Sequence, residues 1–375
     1  MDYRTVANGA CEKIEEAVNE FCIRGSLTEC GRCGSGHIHD TFLLCAADDQ
    51  GEEWRYILQR INTDVFKNPE GLMKNISDVT DFLREKIRRE GGDADRETVT
   101  LIKTRHGLDY YVDSAGTWWR MYKYITDTVS RDTVEQGEDF YQSARAFGHF
   151  QRLLEDYPVE KLIETIPDFH NTPKRFETFC KAVSEDVQGR AGGVQEEIAF
   201  LMARKGEISI IMDGLKNGTI PYRVTHNDTK LNNVLLDAQS KKALCVIDLD
   251  TIMPGSSLFD YGDSIRFGAN TAAEDEKDLS MVSLSLSLME AYTRGFLEEC
   301  GENLTEEEIR LLPWGAKLMT LESGIRFLTD YLEGDQYFRI HRPEHNLDRA
   351  RTQLALVADM ERKWEQMNRL AGNSN

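Results

Sequence analysis

Apolar and polar positions alternate over short runs in the first third of the chain, as they do in β-strands. Residues 40–46 and 54–61 flank a polar turn at 48–51, and this arrangement predicts a β-hairpin. Further strands of an antiparallel meander are predicted at residues 98–103, 110–112 and 118–124. The beginning of the chain is therefore expected to form a β-sheet.

A single helical segment interrupts these strands. Within residues 71–89, Leu72, Ile76, Val79 and Leu83 recur at intervals of three and four, which places them on one face of a helix. The order of strands, one helix and more strands is typical of a small nucleotide-binding lobe.

Helical periodicity dominates the rest of the chain. Amphipathic helices are predicted at residues 138–155, 172–185, 195–215, 276–299, 306–332 and 348–370. The whole pattern predicts an α+β fold of two lobes, with a small β-rich N-terminal lobe (1–125) and a larger, mainly helical C-terminal lobe (126–375). A nucleotide is expected in the cleft between them.

Length and composition agree with two lobes, since 375 residues with 40% hydrophobic content can bury a substantial core. The net charge of −20 argues against a nucleic-acid partner, because phosphate neutralisation needs a basic surface. It does not exclude ATP, and an acidic surface would also suit a cationic substrate. No run of eighteen apolar residues and no apolar signal region is present, so no membrane partner and a cytoplasmic location are expected.

The eight cysteines predict free thiols in a reduced compartment rather than a metal site. Cys45 and Cys245 lie within hydrophobic runs, where buried thiols are common. Cys30 and Cys33 form a C-x-x-C pair, but no second Cys or His pair follows them at the usual spacing of a zinc site. Two loop thiols beside a glycine turn are the preferred interpretation.

Candidate chemistry is concentrated in residues 224–250. Asp228 lies in a polar loop between the short runs 223–225 and 234–236, Asn233 comes five residues later, and Asp248 ends the strand-like segment 244–247. A carboxylate that orients a hydroxyl and accepts its proton, with amide and carboxylate oxygens that hold Mg²⁺ on phosphates, is the polar set required for phosphoryl transfer. Asp228 is therefore the candidate base, and Asn233 and Asp248 are the candidate Mg²⁺ ligands. Asp250 is predicted either to support Asp248 or to face away from it.

These residues resemble the motifs of the aminoglycoside phosphotransferase and choline kinase superfamily, the small-molecule relatives of protein kinases. That pattern is His-x-Asp-x-x-x-x-Asn, Ile-Asp about fifteen residues later, and then a Gly-Asp-Pro-x-x-Asp element. Here the last element reads Gly-Ser-Ser-Leu-Phe-Asp260, without the proline. Residues 226–237, 247–255, 261–268 and 324–332 are similar to those of the N-acetylhexosamine 1-kinases, a resemblance that extends over about residues 34–354.

The resemblance implies a kinase that uses ATP and Mg²⁺ to phosphorylate the anomeric hydroxyl of an N-acetylhexosamine. It also implies structural roles for His226, which would bond backbone or Asp248, and for Asp260, which would brace the loop. Lys230 has two open interpretations: a cation that neutralises the γ-phosphate, or an ordinary solvated lysine. A kinase for another alcohol, including an aminoglycoside or an amino alcohol, and a catalytically silent binding module are the alternatives.

In the N-terminal lobe the resemblance implies nucleotide contacts. The glycines Gly34 and Gly36 resemble a phosphate-covering loop, although a plain turn is an open alternative. The loop residue His37 would lie near the sugar. Many relatives carry a phosphate-contacting Lys or Arg where this chain has Gln59, followed by Arg60, and the sequence does not choose between these two. The adenine edge is expected at the backbone of residues 123–125, which includes Tyr124 and Ile125.

The acceptor pocket is expected at the C-terminal helices. Arg326 and Tyr337 lie in the region that closes this pocket in the superfamily, and an arginine can donate to sugar oxygens or to an acetamide carbonyl. The alternative for Arg326 is an ion pair between helices with one of the many acids.

Overall fold

The computed structural model describes residues 8–33, 38–134 and 136–373, with side chains from Lys13 onward. The predicted contacts of Gly34, Gly36 and His37 lie outside the described residues. The fold is the predicted two-lobe α+β arrangement, with an antiparallel sheet in the N-terminal lobe and a larger helical C-terminal lobe. The division after residue 125 stays a prediction.

The N-terminal sheet has five antiparallel strands in the order β1-β2-β3-β5-β4. They are β1 (Ser26–Arg32), β2 (Asp40–Ala47), β3 (Glu53–Arg60), β4 (Tyr111–Val112) and β5 (Trp118–Lys123). The predicted hairpin is confirmed, since Asp40 pairs with Arg60 and Ala47 with Glu53. The strand predicted at 98–103 is wrong, because this segment pairs only through one isolated bridge, Leu101 to Tyr122.

Helix α1 (Asn8–Glu20) covers one face of this sheet. Its residues Ile14 and Val18 join a buried cluster with Leu44, Leu58 and Met121. Because strand side chains alternate between faces, the residues between these positions point to the other side, toward the C-terminal lobe. The cleft face of the sheet is therefore defined by the positions that α1 does not cover.

Helix α2 (Pro69–Arg89) is confirmed and joins the two lobes. Asn68 caps its first turn by accepting a hydrogen bond from the Gly71 N–H at 3.0 Å, and Pro69 occupies the first helical position, where no amide donor is needed. The buried Asn75 side chain donates to the carbonyls of Ile163 (2.7 Å) and Ile252 (3.0 Å) in the C-terminal lobe.

The C-terminal lobe contains nine further helices in the described chain. They are α3 (Gly137–Leu153), α4 (Thr172–Glu185), α5 (Gln195–Ala203), α6 (Ile210–Asn217), α7 (Ser257–Gly268), α8 (Leu286–Cys300), α9 (Glu306–Glu333), α10 (His345–Arg362) and α11 (Trp364–Leu370). Its short strands are β6 (Thr128–Val129), β7 (Arg223–Thr225), β8 (Val234–Asp237), β9 (Ala243–Val246) and β10 (Met253–Gly255). Strand β8 lies between β6 and β9, and β7 pairs with β10.

Three predicted helices differ from the observed ones. The segment 195–215 is split into α5 and α6 by polar residues around Gly206. The segment 276–299 becomes helical only at Leu286, because Ser285 caps α8 by accepting from the Leu288 N–H at 3.3 Å. The segment 348–370 breaks between α10 and α11. Local capping and turn chemistry decided these boundaries.

Helices α7 and α9 pack unusually close together, and this contact positions part of the site. A Cβ atom on Gly262 would lie 2.2 Å from the Gly315 carbonyl oxygen, so only glycine allows the approach. Helix α9 is held at its start by a capping box between Thr305 and Glu308. No helix in the described chain is long and apolar enough to span a membrane.

Candidate active site

The predicted catalytic residues lie on a loop between β7 and β8, termed here the 226–233 loop. It ends in a short 3₁₀ turn, Leu231–Asn233, which runs directly into β8. The Asn233 amide nitrogen donates to the Asp228 carbonyl oxygen at 2.8 Å and lies 3.4 Å from the Asp228 carboxylate. The fold thus places these two predicted side chains next to each other at the cleft.

A buried carboxylate holds the backbone ahead of Asp228. The two oxygens of Asp260 accept from the Asn227 N–H at 2.7 Å and the His226 N–H at 3.0 Å, and Gln151 donates at 2.6 Å. Burial raises the pKa of Asp260, and these donors oppose the shift. Asn227 has φ +65, a left-handed conformation that Asn adopts more readily than most residues. These contacts match those expected of a brace for the loop.

His226 contacts backbone rather than open cleft. Its Nε2 lies 2.9 Å from the Ile247 carbonyl oxygen, and its Nδ1 accepts from the Asp228 N–H at 3.3 Å. This pairing requires the proton on Nε2. The ring packs edge-on against Phe147 and Phe150. His226 therefore connects the loop to the residue that precedes Asp248, as its predicted structural role requires.

Asp248 faces the cleft from the end of β9 in a left-handed conformation, φ 62. The walls of the cleft reduce its hydration, and this raises the pKa of Asp248, with further contributions from the carboxylates of Asp250 and Asp228. Carboxylates that disfavour each other's charge in this way suit a bound cation. In the part of the chain that the structure describes, the Asn233 amide oxygen makes no hydrogen bond and is open to a ligand.

The donor set fits Mg²⁺ better than a metal held by protein alone. No cluster of three His, Cys, Asp or Glu side chains that could hold a metal occurs among the described residues. Asn233 and Asp248 would supply two hard oxygen ligands, and Mg²⁺ commonly completes its shell with water and phosphate oxygens.

The Asp250 side chain faces inward rather than away, which decides between the two orientations predicted for it. Its carboxylate forms a two-point ion pair with Arg120, with 2.7 Å between Nη2 and Oδ2, and also accepts from His39 Nε2 at 2.7 Å. Burial works against its ionisation, but Arg120 and His39 hold the pKa of Asp250 well below its ordinary value. Arg120 and His39 belong to the N-terminal lobe, so this ion pair joins the two lobes.

Sequence reasoning did not identify Arg120 or His39. The Arg120 side chain is 1% exposed, and the Asp250 charge raises the pKa of its guanidinium despite burial. A signal was present, because Trp119 and Met121 belong to the core face of β5 and the residue between them must face the cleft. An arginine at such a position needs a carboxylate partner.

The structure distinguishes Gln59 from Arg60. The Gln59 side chain lies on the cleft face, where it accepts from Arg120 Nε at 2.9 Å and donates to Thr41 at 3.1 Å. The Arg60 side chain is 53% exposed and pairs with Asp40, its neighbour across the hairpin. Arg60 follows Leu58 on the face that α1 covers, so its predicted phosphate contact has no support in this geometry.

Lys230 pairs with the candidate base. Its Nζ lies 2.8 Å from Asp228 Oδ1, and the Asp228 carboxylate raises the pKa of Lys230. Lys230 is thus an ion-paired lysine whose side chain is still 38% exposed, and both predicted interpretations stay open.

The predicted adenine edge follows β5 directly. The Tyr124 N–H donates to the Arg55 carbonyl oxygen at 3.0 Å, which continues the pairing of β3 and β5. Ile125 is buried, and its N–H makes no hydrogen bond to any residue for which the structure gives a position. An unpaired backbone donor at this edge is available to a nucleobase.

Arg326, on α9, is surrounded by aromatic rings from outside that helix. Its guanidinium carbon is 5.5 Å from the Phe169 ring centre, 5.8 Å from Tyr337 and 5.4 Å from Phe338. No described carboxylate lies within 4.0 Å, so the predicted alternative of an ion pair between helices is wrong. Asp330 orders the loop that carries the rings, since it accepts from the N–H groups of Tyr337 (2.8 Å) and Phe338 (2.9 Å).

A second unpredicted connection runs from α9 to the 226–233 loop. His170 Nδ1 lies 2.9 Å from the buried Glu322 carboxylate, and its Nε2 lies 3.2 Å from the Asn227 carbonyl oxygen. Glu322 precedes Arg326 by one helical turn, and Phe169 precedes His170. The aromatic surroundings of Arg326 are therefore linked through His170 to the residue before Asp228.

Comparison with known proteins identifies the family. Residues 32–280, about two thirds of the chain, match the model of the phosphotransferase enzyme family, APH. This range includes the 226–233 loop, Asp248 and Asp260 but ends before Arg326 and Tyr337.

Solved structures agree at the level of the fold. An aminoglycoside phosphotransferase from Alicyclobacillus acidocaldarius has 12% identity and a TM-score of 0.61, over 97% of this chain and 98% of that one. A microcompartment-associated aminopropanol kinase has 17% identity and a TM-score of 0.60, over 96% and 98%. A spectinomycin phosphotransferase in complex with ADP and spectinomycin has 14% identity and a TM-score of 0.59, over 96% and 99%. The chain therefore belongs to the phosphotransferase enzyme family and is a phosphotransferase with a kinase-like fold.

Proposed function

We propose that this phosphotransferase transfers the γ-phosphoryl group of ATP to the anomeric hydroxyl of an N-acetylhexosamine and yields a sugar 1-phosphate. Asp228 orients the acceptor hydroxyl and takes its proton late, because the transition state of phosphoryl transfer is loose and needs little early deprotonation. Lys230 is paired with Asp228 at 2.8 Å and can stabilise charge that develops beside it.

Asn233 and Asp248 would hold Mg²⁺, which neutralises phosphate charge when it is bound. Asp260, His226 and His170 hold the backbone of the 226–233 loop by the hydrogen bonds described above. These contacts fix Asp228 before the acceptor arrives, and such preorganisation is the main source of rate enhancement in phosphoryl transfer.

The acceptor assignment rests on the surroundings of Arg326. Its guanidinium is surrounded by three aromatic rings and has no carboxylate partner among the described residues, so its donors remain available. Tyr337 beside it is 65% exposed. A planar donor group suits the oxygens of a sugar, including an acetamide carbonyl. The exposed aromatic ring beside it suits the apolar face of the sugar ring.

The direct test is to incubate the protein with MgATP and N-acetylglucosamine or N-acetylgalactosamine and to record the phosphorus NMR spectrum of the product. A signal coupled to the anomeric proton is expected. ATP turnover with an aminoglycoside or an amino alcohol, and none with either sugar, would instead support the alternative acceptors named for the structural relatives.

Replacement of Asp248 by Ala should weaken Mg²⁺-dependent nucleotide binding together with turnover, because a ligand of the ion is lost. Activity measured as a function of Mg²⁺ concentration should show a half-saturation value at least about tenfold higher. Asp64→Ala is the control, since that side chain is 99% exposed and its described ion pair is with Lys67 on the surface. An unchanged Mg²⁺ requirement in Asp248→Ala would show that the ion is held elsewhere.

Replacement of Arg326 by Ala should raise the sugar KM or lower kcat, with a loss of about 1.5–3 kcal/mol in transition-state binding. The KM for ATP should stay within about threefold. Arg310→Ala is a matched control on the same helix, because Arg310 is exposed and its described ion pair is with Glu307, one turn away. Intact sugar kinetics with a lower melting temperature would restrict Arg326 to a structural role.

A further inference from the structure

Two arginines that form no ion pair with a described carboxylate both contact Phe169, beside the 226–233 loop. Arg326 lies over the Phe169 ring at 5.5 Å, and Arg175 on α4 donates from Nη2 to the Phe169 carbonyl oxygen at 3.1 Å. Within the described chain neither has a carboxylate within 4.0 Å. This pair, with Phe169 between them, is termed here the arginine pair.

The charge of the arginine pair is poorly compensated. The Arg175 Nε is buried and has no hydrogen-bond partner among the residues that the structure describes. Burial, and then the adjacent Arg326 charge, lower the pKa of Arg175. An arginine that is buried in part next to another cation is costly for folding, and such cost recurs at functional sites.

Nearby acids are engaged with other groups. Glu322 accepts from Thr172 at 2.6 Å and pairs with His170 at 2.9 Å. Asp168 accepts from the Asn171 side chain at 2.7 Å. Neither carboxylate forms an ion pair with Arg175, and their charges act on it only at longer range.

The arginine pair is connected to the backbone next to Asp228. Phe169 is adjacent in sequence to His170, and His170 contacts the carbonyl oxygen of Asn227, the residue before Asp228. Charge selection by these cations requires an acceptor that is bound at Asp228 to lie near them. A protonated amine near that hydroxyl would be repelled, whereas carbonyl, hydroxyl or carboxylate oxygens would be attracted.

We propose that Arg175, together with Arg326, selects acceptors by charge, so that the site takes neutral or anionic oxygen-bearing alcohols and rejects alcohols that carry an ammonium group. The proposal rests on the proposed function in one respect, namely that the acceptor is bound beside Asp228. The expected acceptor differs from those of the structural relatives that are named for amino compounds. A net charge of −20 would by itself favour cationic acceptors, so the selection would come from the local arginines.

The test compares acceptors in matched pairs at mildly acidic pH, where the amines are charged. The pairs are N-acetylglucosamine with glucosamine, and propane-1,2-diol with 1-aminopropan-2-ol. The wild-type kcat/KM should favour the uncharged member of each pair by about tenfold or more. Calorimetric binding of the same compounds gives the ratio for any pair that is not turned over, and binding of none of them overturns the proposal.

Variants of Arg175 show whether this residue sets the ratio. Arg175→Gln should reduce the preference about fivefold, mainly through better use of the amine, while Arg175→Lys should retain it. Lys174→Gln is the control, because it removes a positive charge from the neighbouring position, where Lys174 is exposed and pairs with Glu177. Melting temperatures show which variants remain folded.

The outcomes separate this proposal from the proposed function. A wild-type ratio near one, a preference for the amine, or an unchanged ratio in folded Arg175→Gln would overturn charge selection. Equal turnover of N-acetylglucosamine and glucosamine would overturn it while the sugar kinase function stands. Preference for the diol with no use of N-acetylglucosamine would support charge selection and remove the sugar as substrate.

Discussion

Replacement of Asp228 by Asn should lower kcat by roughly 10² or more and leave nucleotide affinity nearly unchanged. The amide keeps the size of the side chain but cannot accept the proton of the acceptor hydroxyl. It also loses the ion pair with Lys230, whose Nζ lies 2.8 Å from the carboxylate. Single-turnover measurement of phosphoryl transfer, with ATP binding followed by calorimetry, gives both quantities.

The matched control is Asp64→Asn, the same chemical change at a fully exposed position. The backbone of the 226–233 loop should survive in Asp228→Asn, because Asp260, His226 and His170 hold it through neighbouring residues. An unchanged melting temperature is therefore expected. Turnover close to wild type in the folded variant would remove Asp228 from its proposed role.

Replacement of Asp250 by Asn should destabilise the protein by about 3–5 kcal/mol, because it leaves Arg120 as a buried charge without its partner. The carboxylate also accepts from His39, so one substitution weakens two contacts between the lobes. Urea unfolding in buffer free of metal and nucleotide measures the change. Since the pKa of Asp250 is held below its ordinary value, its stabilisation is present at neutral pH and is lost as the pH falls through the folded pKa.

Asp248→Asn, only two residues away, is a control for which the free energy of unfolding is not expected to fall. The pKa of Asp248 is raised, so its ionised form at neutral pH costs stability when no cation is bound. Removal of the ionisable group should leave the free energy of unfolding unchanged or higher, while the Mg²⁺ concentration needed for activity rises. Equal destabilisation by the two substitutions would contradict the different environments described for these neighbouring carboxylates.

Local patterns were sufficient where secondary structure depends on neighbours in sequence. The β2–β3 hairpin and helix α2 were predicted, because a polar turn between alternating strands and a capped run of apolar residues at helical spacing are local signals. The segment 98–103 has the composition of a strand, but it pairs only at Leu101. Strand pairing depends on a partner that the local pattern does not contain.

The sequence by itself determined the kind of chemistry, since the residue types and spacing of Asp228, Asn233 and Asp248 belong to phosphoryl transfer. Only the tertiary structure decided what surrounds them. Asp250 lies 130 residues from Arg120, yet burial forces the two charges to pair. Arg326 and Arg175 have no carboxylate within 4.0 Å in the described chain, because the fold directs the nearby acids to other partners. Charge compensation is a property of three-dimensional neighbours, and it is this property that sets both lobe contact and the proposed choice of acceptor.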